Sequence, residues 1–315
     1  MMMAKLALLS AALLSATTVT SALQVIDATS SSTAEQVDSS GGLGLPTPPT
    51  FAELAMAQTE PETLQGFDSL LLTQINVLFG SENLPIANGT APEPGMYLTL
   101  TSDQVLVFDQ KIIDLQDSVV PPGPASRECK SGCKASLWSP LRRFWLQALE
   151  ESQTYSLSMP SRVLFGAEAS VEARTLIEVA YAAAETRPAQ PPSMHLLVNG
   201  NNSGLRARPF YLLPPGGLRV SPGENALALR VTLSAGETWR LSAAHPRFSP
   251  SVEGMGWQEL AKQLLVIKKK YPNKGAIVID VGDDVTVGDV VNAMIASQKP
   301  FPVAVLTAGG PVKWG

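Results

Sequence analysis

The pattern of apolar and polar residues divides the chain into an N-terminal portion and a longer body. Leu6 to Val19 are almost all apolar or small, whereas residues 23–61 are rich in Ser, Thr, Gly and Pro without sustained apolar periodicity. That composition is typical of a flexible tether. Between residues 64 and 84, apolar residues at mixed helical spacing predict one further helix before the body begins.

Within the body, one apolar pattern occurs twice, at an offset of 114 residues. Val163-Leu164-Phe165 in the first copy corresponds to Ile277-Val278-Ile279 in the second. Each copy continues with a polar turn, a helix and another apolar strand, Met194 to Val198 in one and Val303 to Thr307 in the other. Two strands joined by a helix predict a parallel pair with a right-handed crossover.

A hairpin is predicted before the first of these strands in each copy. In the first copy its strands are Tyr97 to Thr101 and Val105 to Phe108. In the second copy they are Ala226 to Leu233 and Thr238 to Ser242. Alternating apolar residues around a short polar turn are the usual pattern of such hairpins, and an amphipathic helix follows each of them.

Capping residues indicate where the helices begin and end. Ser139 followed by Pro140 is typical of a helix start in the first copy. In the second copy Thr286 and Asp289 have the spacing of a capping box, and Pro272 bars continuation of the preceding helix.

Together these elements predict an α/β (α+β) fold of two tandem units, each a mixed four-stranded sheet with two helices on one face. The opposite face or an edge of each sheet is then expected to be open to a partner. The predicted segments are a signal peptide or N-terminal anchor (1–22), a linker with a helix (23–93), repeat 1 (94–199), a second linker (200–224), repeat 2 (225–309) and a tail (310–315).

Composition and charge narrow the classes of function. Of the 315 residues, 45% are hydrophobic and 16% are charged, as expected of a folded protein. The net charge is -5 and no long stretch is basic, so we predict no nucleic-acid partner. The run Lys268-Lys269-Lys270 is better explained as the solvated C-terminal end of a helix.

The N-terminus has the features of an export signal. Lys5 precedes the apolar segment, and Thr20-Ser21-Ala22 provides a small-residue cleavage site. We therefore expect a periplasmic or exported protein. The alternative is a retained anchor, because the apolar segment approaches the ~20 residues that span a bilayer. Residues 1–22 would then associate the chain with the inner membrane.

The cysteines and histidines predict neither a metal site nor a catalytic site. Cys129 and Cys133 are separated by three residues, and in an oxidising compartment a disulfide closing this small loop is expected. Zinc sites need four ligands, and His195 and His245 are distant in sequence from the cysteines and from each other. Neither histidine is near a nucleophile in sequence, so we predict no catalytic residue and no cofactor.

An acidic cluster in repeat 2 is the basis of the alternative function. Asp280, Asp283, Asp284 and Asp289 lie close together in sequence, but their spacing does not match a calcium-binding loop. A turn between strand and helix explains them more simply. The alternative is an exported enzyme or ligand-binding protein with its site near the Asp280 to Asp284 turn.

Repeat 2 resembles the periplasmic domain of the ExbD/TolR family of biopolymer transport proteins, and repeat 1 looks like a divergent copy with an insertion around its two cysteines. The residues that carry the likeness are Ile267-Lys268-Lys269-Lys270-Tyr271-Pro272, Ala276 to Asp280, Asp284 to Met294 and Phe301 to Leu306.

The resemblance implies two tandem ExbD/TolR-like units with a non-enzymatic role in the cell envelope. Members of this family contact subunits of a membrane energy-transducing complex or peptidoglycan, and their periplasmic domains dimerise. The tandem copies therefore predict a monomer with an internal pseudo-dimer. The family's membrane helix carries an aspartate for proton coupling, but Leu6 to Val19 contain no carboxylate. We therefore do not expect this chain to relay protons itself.

Overall fold

A computed structural model describes residues 71–108, 110–123, 134–154, 160–187, 191–201, 204–213, 217–220, 227–244 and 251–314. Residues 71–78 form a helical segment. The strands that follow are β1 (Met96–Leu100), β2 (Gln104–Val107), β3 (Gln110–Asp114), β4 (Arg162–Ala167), β5 (Ser193–Asn199), β6 (Leu205–Leu212), β7 (Leu218–Val220), β8 (Leu229–Ser234), β9 (Thr238–Ala243), β10 (Val252–Met255), β11 (Ala276–Val281), β12 (Val303–Thr307) and β13 (Val312–Trp314). The longer helices are α1 (Ala135–Thr154), α2 (Ala173–Thr186), α3 (Trp257–Lys270) and α4 (Val287–Gln298).

Eleven strands form one mixed sheet of order β10-β9-β8-β11-β12-β6-β5-β4-β1-β2-β3. Two five-stranded groups lie on either side of β6 and have the same internal order. In each group an antiparallel meander of three strands is followed by two parallel strands. The fold is therefore mixed α/β. The prediction of four-stranded units was wrong, because β3 and β10 each add a fifth strand.

The two additional strands lack the apolar alternation that identifies a half-buried strand. In β3 the five residues are exposed or half-exposed, and in β10 no residue is buried. Both lie at an outer edge of the sheet. Short polar strands are common at edges, where they discourage pairing with other chains.

Strand β6 connects the two groups. It pairs antiparallel with β5 through residues 205–210 and parallel with β12 through Tyr211 and Leu212. Residues 200–224 were predicted as a linker, but they contain β6 and β7. Residues 310–315 were predicted as a tail, but β13 lies there and pairs with β7. Two arginines and a proline interrupt the apolar pattern of β6, which explains why the sequence did not predict it.

The folded body begins earlier than the predicted boundary at residue 94. Leu71 and Ile75 of the helical segment are buried in the hydrophobic core, as is Leu84. The part of the predicted linker from residue 71 onward is therefore folded, and a helix occurs there as expected. Helix α1 begins at Ala135, so the start predicted at Ser139 was wrong. Pro140 lies inside the helix.

Within the described ranges, no helix is long and apolar enough to cross a membrane. Residues 1–22, the predicted signal or anchor, lie outside the described residues.

Candidate functional site

The turns before α2 and α4 contact each other and form the main link between the repeats beyond β6. Glu172 and Thr286, separated by the repeat offset of 114 residues, pair as an isolated antiparallel bridge. Residues 171–173 and 285–287 are here called the inter-repeat bridge.

Two backbone hydrogen bonds form this bridge, and they are equivalent: each joins the same two positions of the repeat, with the donor in one repeat and the acceptor in the other. The Ala173 amide donates to the Val285 carbonyl at 2.8 Å, and the Val287 amide donates to the Val171 carbonyl at 2.8 Å. Val171 and Val285 are almost completely buried, so water does not compete for these groups. In an isologous two-fold interface, equivalent groups of the two copies contact each other reciprocally, and these two bonds follow that pattern.

The need to cap α2 and α4 explains both bonds. The first amides of a helix have no partner within it. In α4 the Asp289 amide is capped locally, since Thr286 Oγ1 accepts from it while Asp289 Oδ2 accepts from the Thr286 amide, which confirms the predicted capping box. The first amide of α4, that of Val287, is capped by repeat 1. Helix α2 starts after Glu172, whose side chain makes no capping hydrogen bond. The amide of Ala173 is instead capped by repeat 2.

The acidic cluster predicted from the sequence lies beside the bridge, and the carboxylates of Asp280, Asp283 and Asp289 have protein partners, whereas Asp284 is exposed. Asp280 forms an ion pair of 2.6 Å with Arg230, and it also accepts from the Gly309 amide at 2.8 Å. Asp283 pairs with Arg174 of the other repeat at 2.9 Å. With Asp289 in the capping box, the cluster serves the turn and the bridge. Among the described residues, no group of three or more His, Cys, Asp or Glu could hold a metal ion.

The ion pair of Asp280 has a neutral counterpart in repeat 1. Arg230 pairs with Val278 in repeat 2, and Tyr97 pairs with the equivalent residue, Leu164, in repeat 1. Tyr97 and Arg230 therefore occupy equivalent positions. By the same register Gly166 takes the place of Asp280. A methyl group at Gly166 would lie 2.5 Å from the Tyr97 hydroxyl, so the tyrosine fills the space that the ion pair occupies in repeat 2. Burial raises the pKa of Tyr97 far above its ordinary value.

The sheet face that carries these positions, here called the outer face, differs between the repeats. All five residues of β1 are buried, so this part of the repeat 1 sheet is covered on both faces. Of the predicted open face or edge, repeat 1 has the edge, which is strand β3. Leu106 in repeat 1 corresponds by register to Arg240 in repeat 2. Arg240 is exposed and forms an ion pair of 2.7 Å with Glu253 of β10. The outer face of repeat 2 is therefore charged and accessible.

A cleft of about 600 Å³ lies between α2 and the adjoining parts of β5 and β6. Its lining residues are Tyr181, Ala184, Glu185, Pro191, Pro192, Ser193, Met194, Pro209, Phe210, Tyr211 and Leu212. The cleft is mainly apolar. Sequence reasoning missed it because one wall belongs to β6, which was predicted as linker.

Comparisons with known proteins do not place the chain in a family. No protein-family model matches it, and no curated protein matches significantly. A Bacteroides thetaiotaomicron protein with an actin-like ATPase fold and unknown function is similar at 10% identity, over 68% of this chain and 90% of that one, with a TM-score of 0.22. The ethanolamine utilization protein EutJ from Carboxydothermus hydrogenoformans is similar at 10% identity over 78% of this chain and 95% of that one, with a TM-score of 0.20. TM-scores this low carry no argument about function.

Of the histidines and cysteines considered as site residues, His195 is the one that lies within the described residues. His195 lies half-buried on β5, near the ion pair of 2.6 Å between Arg162 and Glu93. Burial, followed by the charge of Arg162, lowers the pKa of His195 below its ordinary value. His245 and the predicted disulfide of Cys129 and Cys133 lie outside the described residues.

The lowered pKa of His195 predicts a pH dependence of stability. A histidine whose folded pKa lies below its unfolded value stabilises the fold fully above the unfolded pKa of about 6.5, and this contribution is lost as the pH falls. We expect His195→Gln to lose less stability than the wild type between pH 8 and pH 5.5 in urea unfolding. His245→Gln is the control, and equal slopes for wild type and His195→Gln would contradict the prediction.

Proposed function

We propose that this protein is a non-enzymatic binding and coupling protein of the cell envelope, similar in role to the periplasmic part of ExbD/TolR proteins. Its partners would be subunits of a membrane energy-transducing complex or peptidoglycan. The observation that best supports the proposal is the inter-repeat bridge, in which equivalent backbone groups of the two repeats bind each other.

Such a bridge is what a symmetric dimer interface becomes when both subunits belong to one chain. Association between separate chains costs translational and rotational freedom, and the dimer dissociates on dilution. Connecting the copies turns association into an intramolecular step with a high effective concentration. A monomer of this protein would therefore present two modules in a fixed arrangement at any concentration.

The partnered carboxylates support a binding role over catalysis at the acidic turn. A general base needs a carboxylate that can reach the proton of a substrate. Asp280 is buried beneath its ion pair with Arg230, and Asp289 is engaged in the capping box. These carboxylates hold the turn in place, so the turn is better suited to structure than to proton transfer.

The outer face of repeat 2 is the surface we assign to a protein or peptidoglycan partner. It exposes the ion pair of Arg240 with Glu253, and both side chains are 62% exposed. Charged rim residues of this kind contribute mainly to specificity and to the rate of association. In repeat 1 the corresponding residues of β1 and β2 are buried, and the exposed charge lies on the edge strand β3, so the two repeats offer different surfaces.

The proposal is tested by light scattering and by binding to the envelope. We expect the purified protein to be monomeric, to sediment with purified peptidoglycan sacculi, or to retain subunits of a membrane complex from solubilised envelopes. The double variant Arg240→Glu with Glu253→Arg keeps an ion pair but reverses the positions of its charges. We expect its binding to sacculi or to the membrane subunits to weaken about tenfold or more, which corresponds to ~1.4 kcal/mol.

A matched control exists in repeat 1. Lys111 and Asp114 form an exposed ion pair of 2.9 Å on the edge strand β3, and exchanging them should leave retention unchanged. An obligate dimer in light scattering would contradict the internal pseudo-dimer. A wild-type protein that binds neither sacculi nor a membrane subunit would contradict the binding role.

A further inference from the structure

The cleft between α2, β5 and β6 has the size and lining of a small-molecule site. Sites for such ligands commonly measure about 300 to 1,000 Å³ and are mainly apolar with a few polar groups. At about 600 Å³ this cleft is in that range. Met194 and Phe210 form its apolar floor, and Tyr211, which is 59% exposed, provides an aromatic wall.

Three of the residues that line the cleft are prolines: Pro191, Pro192 and Pro209. The pyrrolidine ring fixes φ, so these residues lose little conformational freedom when a ligand binds. A preformed cavity lowers the cost of binding.

One polar group in the cleft has no hydrogen-bond partner among the described residues. The Tyr181 hydroxyl is buried, and it makes no hydrogen bond with any of the described residues. Several buried side-chain atoms of the described residues lack a partner, among them those of Tyr97 and Trp257, but of these residues only Tyr181 lines the cleft. Since buried polar groups are usually paired, a ligand in the cleft is the natural source of an acceptor for its hydroxyl. Burial, and then the charge of Glu185, raise the pKa of Tyr181 to about 12. The hydroxyl therefore remains protonated and able to donate at neutral pH.

The charge at this wall selects against anions. Glu185 lines the cleft close enough to Tyr181 to influence its titration. A carboxylate at this position repels a second negative charge, whereas a neutral carbonyl can still accept from the tyrosine.

Repeat 2 shows that these polar residues are not required by the fold. At the repeat offset, Tyr181 corresponds to Ile295 and Glu185 to Lys299. Ala184 corresponds to Gln298, which accepts a hydrogen bond of 3.3 Å from Arg208. The corresponding helix thus folds in repeat 2 without the tyrosine and glutamate, so these two residues are particular to the cleft of repeat 1.

We propose that this cleft binds an uncharged, mainly apolar aromatic molecule whose carbonyl oxygen accepts a hydrogen bond from the Tyr181 hydroxyl. Phe210 and Tyr211 contact the ring, and Glu185 excludes acids of the same shape. This site is independent of the envelope-binding role, since it lies on a different part of the molecule from the outer face of repeat 2.

The test uses the full chain and the fluorophore Prodan, a neutral naphthalene ketone. We expect saturable binding with a blue-shifted emission. Tyr181→Phe should weaken binding about 3- to 10-fold, the usual range for one neutral hydrogen bond. Ala184→Trp fills the cleft and should abolish binding. If that variant fails to fold by circular dichroism, Tyr211→Ala, at an exposed position, should still weaken binding severalfold.

Met255→Ser is the matched control, because Met255 is 68% exposed on β10 and lies outside the cleft. Its binding of Prodan should equal that of the wild type. Glu185→Gln should improve binding of the anionic naphthalene sulfonate ANS without weakening Prodan. Unchanged Prodan binding in both Tyr181→Phe and the folded cleft variant would overturn the proposal, as would a loss caused by Met255→Ser.

Discussion

Proline at both Ala173 and Val287 is expected to lower the free energy of unfolding by about 2–6 kcal/mol, because each leaves a buried carbonyl without its donor at ~1–3 kcal/mol apiece. The two residues are the first of α2 and α4, where proline is normally tolerated. The residues before them have extended ψ angles of 128° and 163°, which suit a following proline. The substitutions therefore remove the two bridge bonds with little local strain.

Equilibrium urea unfolding of the full chain measures this effect. Ala173→Gly and Val287→Ala keep the amides and report the cost of the side-chain change alone. The wild type should unfold in one transition. The double proline variant should also unfold less cooperatively, since the repeats would then be joined mainly through β6. If the proline variants were no less stable than their amide-retaining controls, the bridge would not stabilise the structure.

Local sequence patterns predicted the elements that are determined by nearby residues. The capping box at Thr286 and Asp289 involves residues three positions apart, and the pattern identified it directly. The hairpin of β8 and β9 and the parallel strands β11 and β12 were predicted for the same reason, since their alternation and apolar runs reflect local burial.

Strand β6 was missed because distant residues determine its environment. Arg208 is only 7% exposed, although arginine usually lies at the surface. Its guanidinium donates to the Asn88 carbonyl at 2.6 Å and to Gln298 at 3.3 Å, and both partners are about a hundred residues away in sequence. An arginine in a sequence predicts exposure unless its partners are known. The cleft was missed together with β6, because Phe210 and Tyr211 of that strand line the cleft with Tyr181.

The charge on the outer face of repeat 2 shows how one fold accommodates two chemistries. Repeat 1 places Tyr97 over Gly166, and repeat 2 places Arg230 beside Asp280 at the same register. A tyrosine with a glycine partner buries an apolar ring, whereas an arginine needs a carboxylate to offset the loss of water. We therefore expect that one pair can replace the other only when both of its residues are changed together.

Asp280→Ala is expected to destabilise the protein by about 2–4 kcal/mol in urea unfolding, because it leaves Arg230 without its counter-charge and the Gly309 amide without its acceptor. The value lies at or below the range for fully buried pairs, since the Arg230 side chain is 23% exposed and partly screened by water. Glu253→Ala breaks the exposed pair with Arg240 on the same face, and should cost less than about 1 kcal/mol.

The double variant Arg230→Tyr with Asp280→Gly transfers the arrangement of repeat 1 into repeat 2. We expect it to be more stable than Asp280→Ala, because no unpaired charge remains and the ring can cover the glycine as Tyr97 covers Gly166. Arg230→Tyr alone should be destabilised, since Asp280 would then lose its cation and crowd the ring. Two findings would refute this equivalence: equal losses for Asp280→Ala and Glu253→Ala, or a double variant no better than Asp280→Ala. Equal losses would mean that the buried pair stabilises the repeat no more than the exposed one does. A double variant no better than Asp280→Ala would mean that the tyrosine and glycine of repeat 1 do not replace the ion pair.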